Sequence, residues 1–222
     1  MGAAKHIRAV TFFSYRSYVS PYKAQPWTDA ELGVLRFVRA IKARPVGGSS
    51  PIVVRGALCH ISKDTAGKAL GWFAEMAVDM LEHYLETTRV VLVPIPDADC
   101  TLSGMASRTA RLSEAVAQRC EAASHDLLRW TKKMSPASQG GPRSAQMLYP
   151  YLRVRRGFAP MNRPYVLIDD VCTTGGHVRA CAARLKEWGD IDVILAIAGA
   201  QTQQEPVDPY AATDQEHAPY LP

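Results

Sequence analysis

Two adjacent carboxylates, Asp169 and Asp170, stand directly before a short run of small and hydroxylated residues, Cys172-Thr173-Thr174-Gly175-Gly176-His177. A Gly- and Thr-rich loop leading into a helix offers backbone N–H groups and the positive end of the helix dipole, a combination that binds a phosphate monoester. Thr173 and Thr174 add hydroxyl donors. Carboxylates repel phosphate. The acid pair therefore suits the hydroxyls of a sugar attached to that phosphate, or a hydrated divalent cation. A phosphate with diol oxygens one sugar's width away describes a ribose 5-phosphate.

The elements around these residues must place them at one edge of a sheet. Tyr165-Val166-Leu167-Ile168 has the continuous apolar character of a strand buried on both faces. After the loop, Val178, Cys181, Ala182 and Leu185 recur at i, i+3, i+4 and i+7, which predicts one apolar helix face. Gly189 stands where that helix would end in a left-handed residue. The pattern is strand, loop, helix, with the acids at the strand's carboxyl end. Cys172 reads as a small loop filler and Cys181 as core. His177 reads equally as a phosphate contact and as a plain helix N-terminal residue.

The segment VLIDDVCTTGGH resembles the phosphoribosyl-diphosphate (PRPP) binding signature of type I phosphoribosyltransferases. It departs at His177, where that family usually carries Thr or Ser; the backbone N–H is retained, and an imidazolium could stand in for the hydroxyl. The dinucleotide G-x-G-x-x-G and P-loop patterns are absent. From about Leu85 to Gln201 the order of features resembles the ComF branch: VVLVPIPD, RTARLSEAVAQRC, LLRWTKKMSPASQGGPRSAQMLYPYLRV, then the signature. Gln139 and Arg143 match a Gln and an Arg-rich segment of that branch. Its N-terminal cysteine-rich zinc module is missing, and SGMASRTARLSE replaces its Arg-Gly-Phe-Asn-Gln-like segment.

The resemblance implies an α/β fold of the type I phosphoribosyltransferase kind: a mainly parallel twisted sheet flanked by helices, with ligand at the strands' carboxyl ends. Residues 1–200 would form one domain, with a small hood at about 8–50, and 201–222 a disordered acidic tail. The implied reaction is transfer of 5-phosphoribosyl from PRPP to a nitrogen acceptor, a nucleobase or amine, with release of diphosphate. Cys172, Thr173, Thr174, Gly175, Gly176 and His177 would hold the 5-phosphate. Asp169 and Asp170 would bind the sugar hydroxyls and, mainly through water or substrate, Mg²⁺. Ile95, Pro96, Asp97 and Ala98, with Lys132 and Lys133, would meet the diphosphate; Lys132 would also act catalytically beside the acid pair. No residue stands out as a general base, so orientation would do most of the work. The expected partners are PRPP and an unidentified acceptor, with a second copy of the chain as a homodimer. Two other readings remain: a PRPP-sensing or ComF-like DNA-uptake accessory protein without turnover, and a hydrolase of ribosyl phosphates.

The chain has 222 residues and a formal charge of +5. Residues 203–222 hold Glu205, Asp208, Asp214 and Glu216 without Lys or Arg, so the body is more basic than the whole, as a polyanionic ligand favours. Five cysteines form no C-x-x-C and suit a reducing, cytoplasmic setting. No apolar run is long enough to span a membrane, and the N-terminus has no apolar signal core. Other predicted elements are an aromatic strand-like stretch at 8–27, a helix capped by Thr28 or Asp29, a strand at 52–58, an amphipathic helix from Ser62 or Asp64 to Glu86, strands at 89–96, 127–130 and 191–199, and a helix at about 107–120. Between Arg129 and Arg156 lie seven basic residues and no acid. The Ser-, Gly- and Pro-rich middle, 132–143, is expected to be a mobile loop able to fold over a diphosphate.

Overall fold

The computed structural model describes residues 10–14, 16–19, 27–104, 106–135, 140–203 and 213–217. Its centre is a seven-stranded sheet. In chain order the strands are β1 (Val10–Ser14), β2 (Ser17–Val19), β5 (Val91–Pro94), β6 (Ala123–Ser124), β9 (Tyr165–Cys172), β10 (Val193–Gln203) and β11 (Thr213–His217). Between them come hairpin β3 (Ser49–Val54) and β4 (Ala57–Ser62), and the pair β7 (Leu128–Trp130) and β8 (Leu152–Val154). The helices are α1 (Asp29–Ile41), α2 (Ala69–Leu85), α3 (Ala110–Ala117), α4 (Ala145–Leu148) and α5 (Gly176–Gly189). The sheet order is β11-β1-β10-β9-β5-β6, with β2 also on β10. Every pairing is parallel except β11 on β1. The chain is an α/β protein with a mainly parallel sheet flanked by helices.

Period-two alternation sends each strand's apolar side chains to two cores. Tyr165 and Leu167 of β9 join Val91 and Val93 of β5 on the face covered by α4, α5 and the β7–β8 pair. Val166 and Ile168 join Leu92, Leu195 and Ile197 on the face covered by α1, α2, α3 and the β3–β4 hairpin. A strand buried on both sides has no polar face, which is why the sequence there is continuously apolar. β9 lies between β10 and β5; β10 flanks it as far as Cys172, whereas the ladder with β5 ends at Ile168.

Helix α1 begins with a capping box. Thr28 accepts from the Glu31 amide at 3.2 Å, and the Glu31 carboxylate accepts from the Thr28 amide at 2.9 Å. Val34 and Val38 pack on Ala200 and Val171, seating α1 over the carboxyl ends of β10 and β9.

Several expectations are revised. The predicted strand at 52–58 is a hairpin turning at Arg55 and Gly56, both at positive φ (48° and 79°), as a tight two-residue turn requires. Within the stretch expected to form a hood, Val10–Ser14 pairs with β10 in the main sheet, while α1 and the β3–β4 hairpin pack on one face of it. Gly189 lies within α5, and Asp190 (φ 56°) takes the left-handed position, held at 3.0 Å by Lys186. The tail is not disordered throughout: Thr213–His217 pairs with β1, since ladder hydrogen bonds come from the backbone and need no apolar side chains. The aromatics Tyr15 and Tyr22 lie outside the described residues. No helix among the described residues is long and apolar enough to cross a membrane.

Candidate active site

β9 continues through the acid pair to Cys172, so Asp169 and Asp170 stand on the last turns of the central strand rather than in a loop. Asp169 Oδ1 accepts from the Asp170 amide at 2.8 Å. Burial first, and the Asp170 carboxylate second, push Asp169 well above its ordinary value of 3.8. Asp170 is paired with Lys42 at the C-cap of α1, Nζ to Oδ1 3.1 Å.

The turn that follows is shaped by two glycines. Gly175 adopts φ +71° at the N-cap of α5. A Cβ on Gly176 would stand 1.8 Å from the Arg143 carbonyl oxygen, so the backbone at 143–145 lies directly against the start of α5. Thr174 donates its hydroxyl to that same carbonyl at 3.0 Å. Thr174 and Gly176 therefore seat the loop, whereas Cys172, Thr173, Gly175 and His177 face a cavity of about 1140 Å³ together with Asp169 and Asp170.

His177 packs edge-on against Trp130, ring centres 5.9 Å apart, and burial lowers its pKa. That burial works against the imidazolium expected to stand in for the missing hydroxyl. Burial pushes the Cys172 thiol up to about 12, so no thiolate is available for attack. Cys181 is fully buried in the core.

The loop after β5 forms the opposite wall. Ile95, Pro96, Asp97 and Ala98 all border the cavity. Their backbone is largely engaged: Thr109 Oγ1 donates to the Ile95 carbonyl at 2.5 Å, and Trp130 Nε1 donates to the Asp97 carbonyl at 3.0 Å. The Ile95 amide donates to Ile168 and the Asp97 amide to Ser107. What this wall presents is charge. Arg108 is bound to Asp97 (Nε to Oδ2 3.3 Å), and Lys133 to Asp99 (2.7 Å). The Lys133 contact holds Asp99 below its ordinary range.

Lys132 does not line the cavity; its ammonium sits 3.9 Å over the Tyr151 ring. Lys133, by contrast, borders the cavity. Arg129, counted at the head of the basic stretch, is buried and held by both oxygens of Asp126, each at 2.5 Å. Residues 136–139, with Gln139, lie outside the described residues.

Sequence reasoning missed Lys42, Arg108 and the cationic face of α1, where Arg36 and Arg39 also border the cavity. Only Arg108 carried a local signal, in the segment replacing the family's Arg-containing one. The described residues hold no cluster of three metal-ligating side chains. Two adjacent carboxylates are nevertheless a donor set that suits Mg²⁺ completed by water and substrate oxygens.

No family model matches the sequence, and no curated protein matches it. Among solved structures the chain is similar to adenine phosphoribosyltransferase from Thermoanaerobacter pseudethanolicus (15% identity, 68% of this chain and 94% of that one, TM-score 0.41). It is also similar to the Saccharomyces cerevisiae enzyme complexed with an imino-altritol bisphosphate and adenine (11%, 75% and 89%, 0.41). A third is the Giardia lamblia enzyme complexed with 9-deazaadenine (15%, 80% and 99%, 0.41). Likeness at this level concerns the chain trace and assigns no residue.

Proposed function

We propose that this chain is a phosphoribosyltransferase, transferring 5-phosphoribosyl from PRPP to a nitrogen acceptor and releasing diphosphate. One observation carries the reading. The acid pair and the loop at 172–177 open into the same cavity, which the 95–98 loop closes on one side and α1 on the other. Sugar-binding, phosphate-binding and charge-neutralising groups thus converge on one volume large enough for two substrates.

In this reading Thr173, the backbone of Gly175 and the amino end of α5 anchor the 5-phosphate. Asp169 and Asp170 accept the ribose hydroxyls and fix C1. Mg²⁺, held by the acid pair through water and substrate oxygens, would reduce the charge of the diphosphate. Arg108 and Lys133 meet the leaving diphosphate, each steadied by its own aspartate. The C1–diphosphate bond breaks as the acceptor nitrogen approaches from the opposite side, and the sugar passes through an oxocarbenium-like state. Ile95, Pro96, Asp97 and Ala98 meet the diphosphate beside Arg108 and Lys133, and Asp97 and Asp99 also orient these cations. No side chain is assigned as a general base, so rate enhancement comes from orientation and electrostatics. The ComF-like branch remains the preferred relative, on the order of motifs alone. A homodimer and a cytoplasmic setting are further parts of the proposal.

Calorimetry tests the core of it. PRPP with Mg²⁺ is expected to bind in the micromolar range, about −8 kcal/mol. The Asp169→Asn, Asp170→Asn double variant is expected to lose most of that affinity. Parent-like binding by the double variant would remove the site assignment. Binding with no diphosphate released for any base or amine would favour the sensing role.

A further inference from the structure

Helix α1 lays Leu32, Leu35, Arg36, Arg39 and Lys42 along the cavity, a series at i, i+3, i+4, i+7 and i+10 that shares one face. Arg44, just beyond the helix, adds a further cation. No acid from α1 or from the loop after it borders the cavity. Lys42 is paired with Asp170, but among the described residues Arg36, Arg39 and Arg44 have no carboxylate partner. Arg36 donates to the Gly47 carbonyl and the Ser50 hydroxyl, and Arg39 donates to the Pro45 carbonyl at 2.8 Å. Those partners are neutral. On the floor and the far wall, by contrast, Asp170, Asp97 and Asp99 each hold a cation of their own.

The position of α1 separates it from the diphosphate. It packs over β9 and β10 through Val34 and Val38, on the β10 side of the acid pair. The 95–98 loop leaves β5, on the other side of β9. Nucleophile and leaving group must approach C1 from opposite faces, so the wall across from the diphosphate loop is the acceptor's.

We propose that the acceptor is an anionic nitrogen compound: a heterocycle or amine bearing a carboxylate or phosphate, its apolar body against Leu32 and Leu35 and its charge met by Arg39 and Arg44. This rests on the phosphoribosyl-transfer reading. Leucine side chains beside guanidinium groups suit a flat ring with an acidic substituent, whereas a neutral nucleobase would make no charge-assisted contact with Arg39 and Arg44, which stand at the open, solvent-exposed side of the cavity.

The test uses matched probes that differ in one charge. The full-length protein, saturated with PRPP and Mg²⁺, is titrated with carboxylate and carboxamide members of imidazole, pyridine and aniline pairs, and diphosphate release is followed in parallel. At least one carboxylate is expected to outcompete its carboxamide by about tenfold or more, the size of one charge-assisted hydrogen bond. Arg39→Gln with Arg44→Gln is expected to erase that preference while PRPP binding stays at the parental level, and Arg39→Lys to restore part of it. Equal binding within every pair overturns the inference, as does failure of every carboxylate to bind. A double variant that loses PRPP affinity and keeps the carboxylate preference assigns these arginines to the diphosphate and overturns it too. Failure of PRPP itself to bind the parent strikes the transferase reading instead, so the two failures are distinct.

Discussion

The Lys42 ammonium lies 3.1 Å from Asp170 Oδ1, joining the end of α1 to the acid pair on the central strand. Both side chains are largely shielded, 23% and 15% exposed, so the contact is less screened than a surface pair. Lys42→Met leaves a half-buried carboxylate without its counter-charge. Urea denaturation is expected to show a loss of about 1–3 kcal/mol. Lys42 also opposes the upward shift of Asp169, so the variant's PRPP binding should require a higher pH than the parent's. An unchanged pH profile would show that the contact does not reach the sugar site.

Asp169 gives a pH dependence with a defined sign. Its pKa in the folded chain is raised, so the native state binds a proton more readily than the unfolded chain. Its contribution to stability is complete below the ordinary value of 3.8 and declines as pH rises from there through the raised value. Asp169→Asn, which resembles the protonated form, should flatten that decline and be at least as stable as the parent at pH 8, while PRPP affinity falls. Chemical denaturation across pH 5–9, beside calorimetry, checks both halves.

The two neighbouring lysines should behave differently. Lys132→Ala removes a cation resting on Tyr151 and is expected to leave diphosphate release near the parental rate. Lys133→Ala and Arg108→Ala each withdraw a cation from the wall facing the leaving group and should lower kcat more than they raise KM. Equal effects of Lys132→Ala and Lys133→Ala in steady-state kinetics would count against this division.

Gly176→Ala tests the seam between α5 and the segment at 143–145. The added methyl carbon would collide with the Arg143 carbonyl, a backbone atom with little room to yield. A loss of about 2 kcal/mol or more is expected by thermal or urea unfolding. Thr174→Val keeps the shape and removes only the hydroxyl bond to Arg143, and should cost about 1 kcal/mol.

The central strand, its acids and the following helix could be read from sequence because their signals are local: apolar continuity before Asp169, a 3.6-residue period after Gly176. The cavity wall formed by α1 could not. Arg36, Arg39 and Lys42 are as compatible with a solvated helix face as with a cavity lining, and only the packing of Val34 and Val38 on Ala200 and Val171 decides which way they point. The pairing of Lys42 with Asp170 spans 128 positions and leaves no trace in either neighbourhood. β11 was hidden for a different reason: its sequence, TDQEH, has no apolar periodicity, and its place comes from main-chain pairing at a sheet edge.

The interior position of β9 bears on how such a protein can change its chemistry. The ladder with β10, which runs through and past Asp169 and Asp170, leaves these acids little freedom to migrate during divergence. Helix α1 is under no comparable restraint: its exposed face can be rewritten residue by residue while its valines keep their seat. A lineage built on this frame could therefore remodel one side of the cavity many times over and never disturb the strand end at its floor.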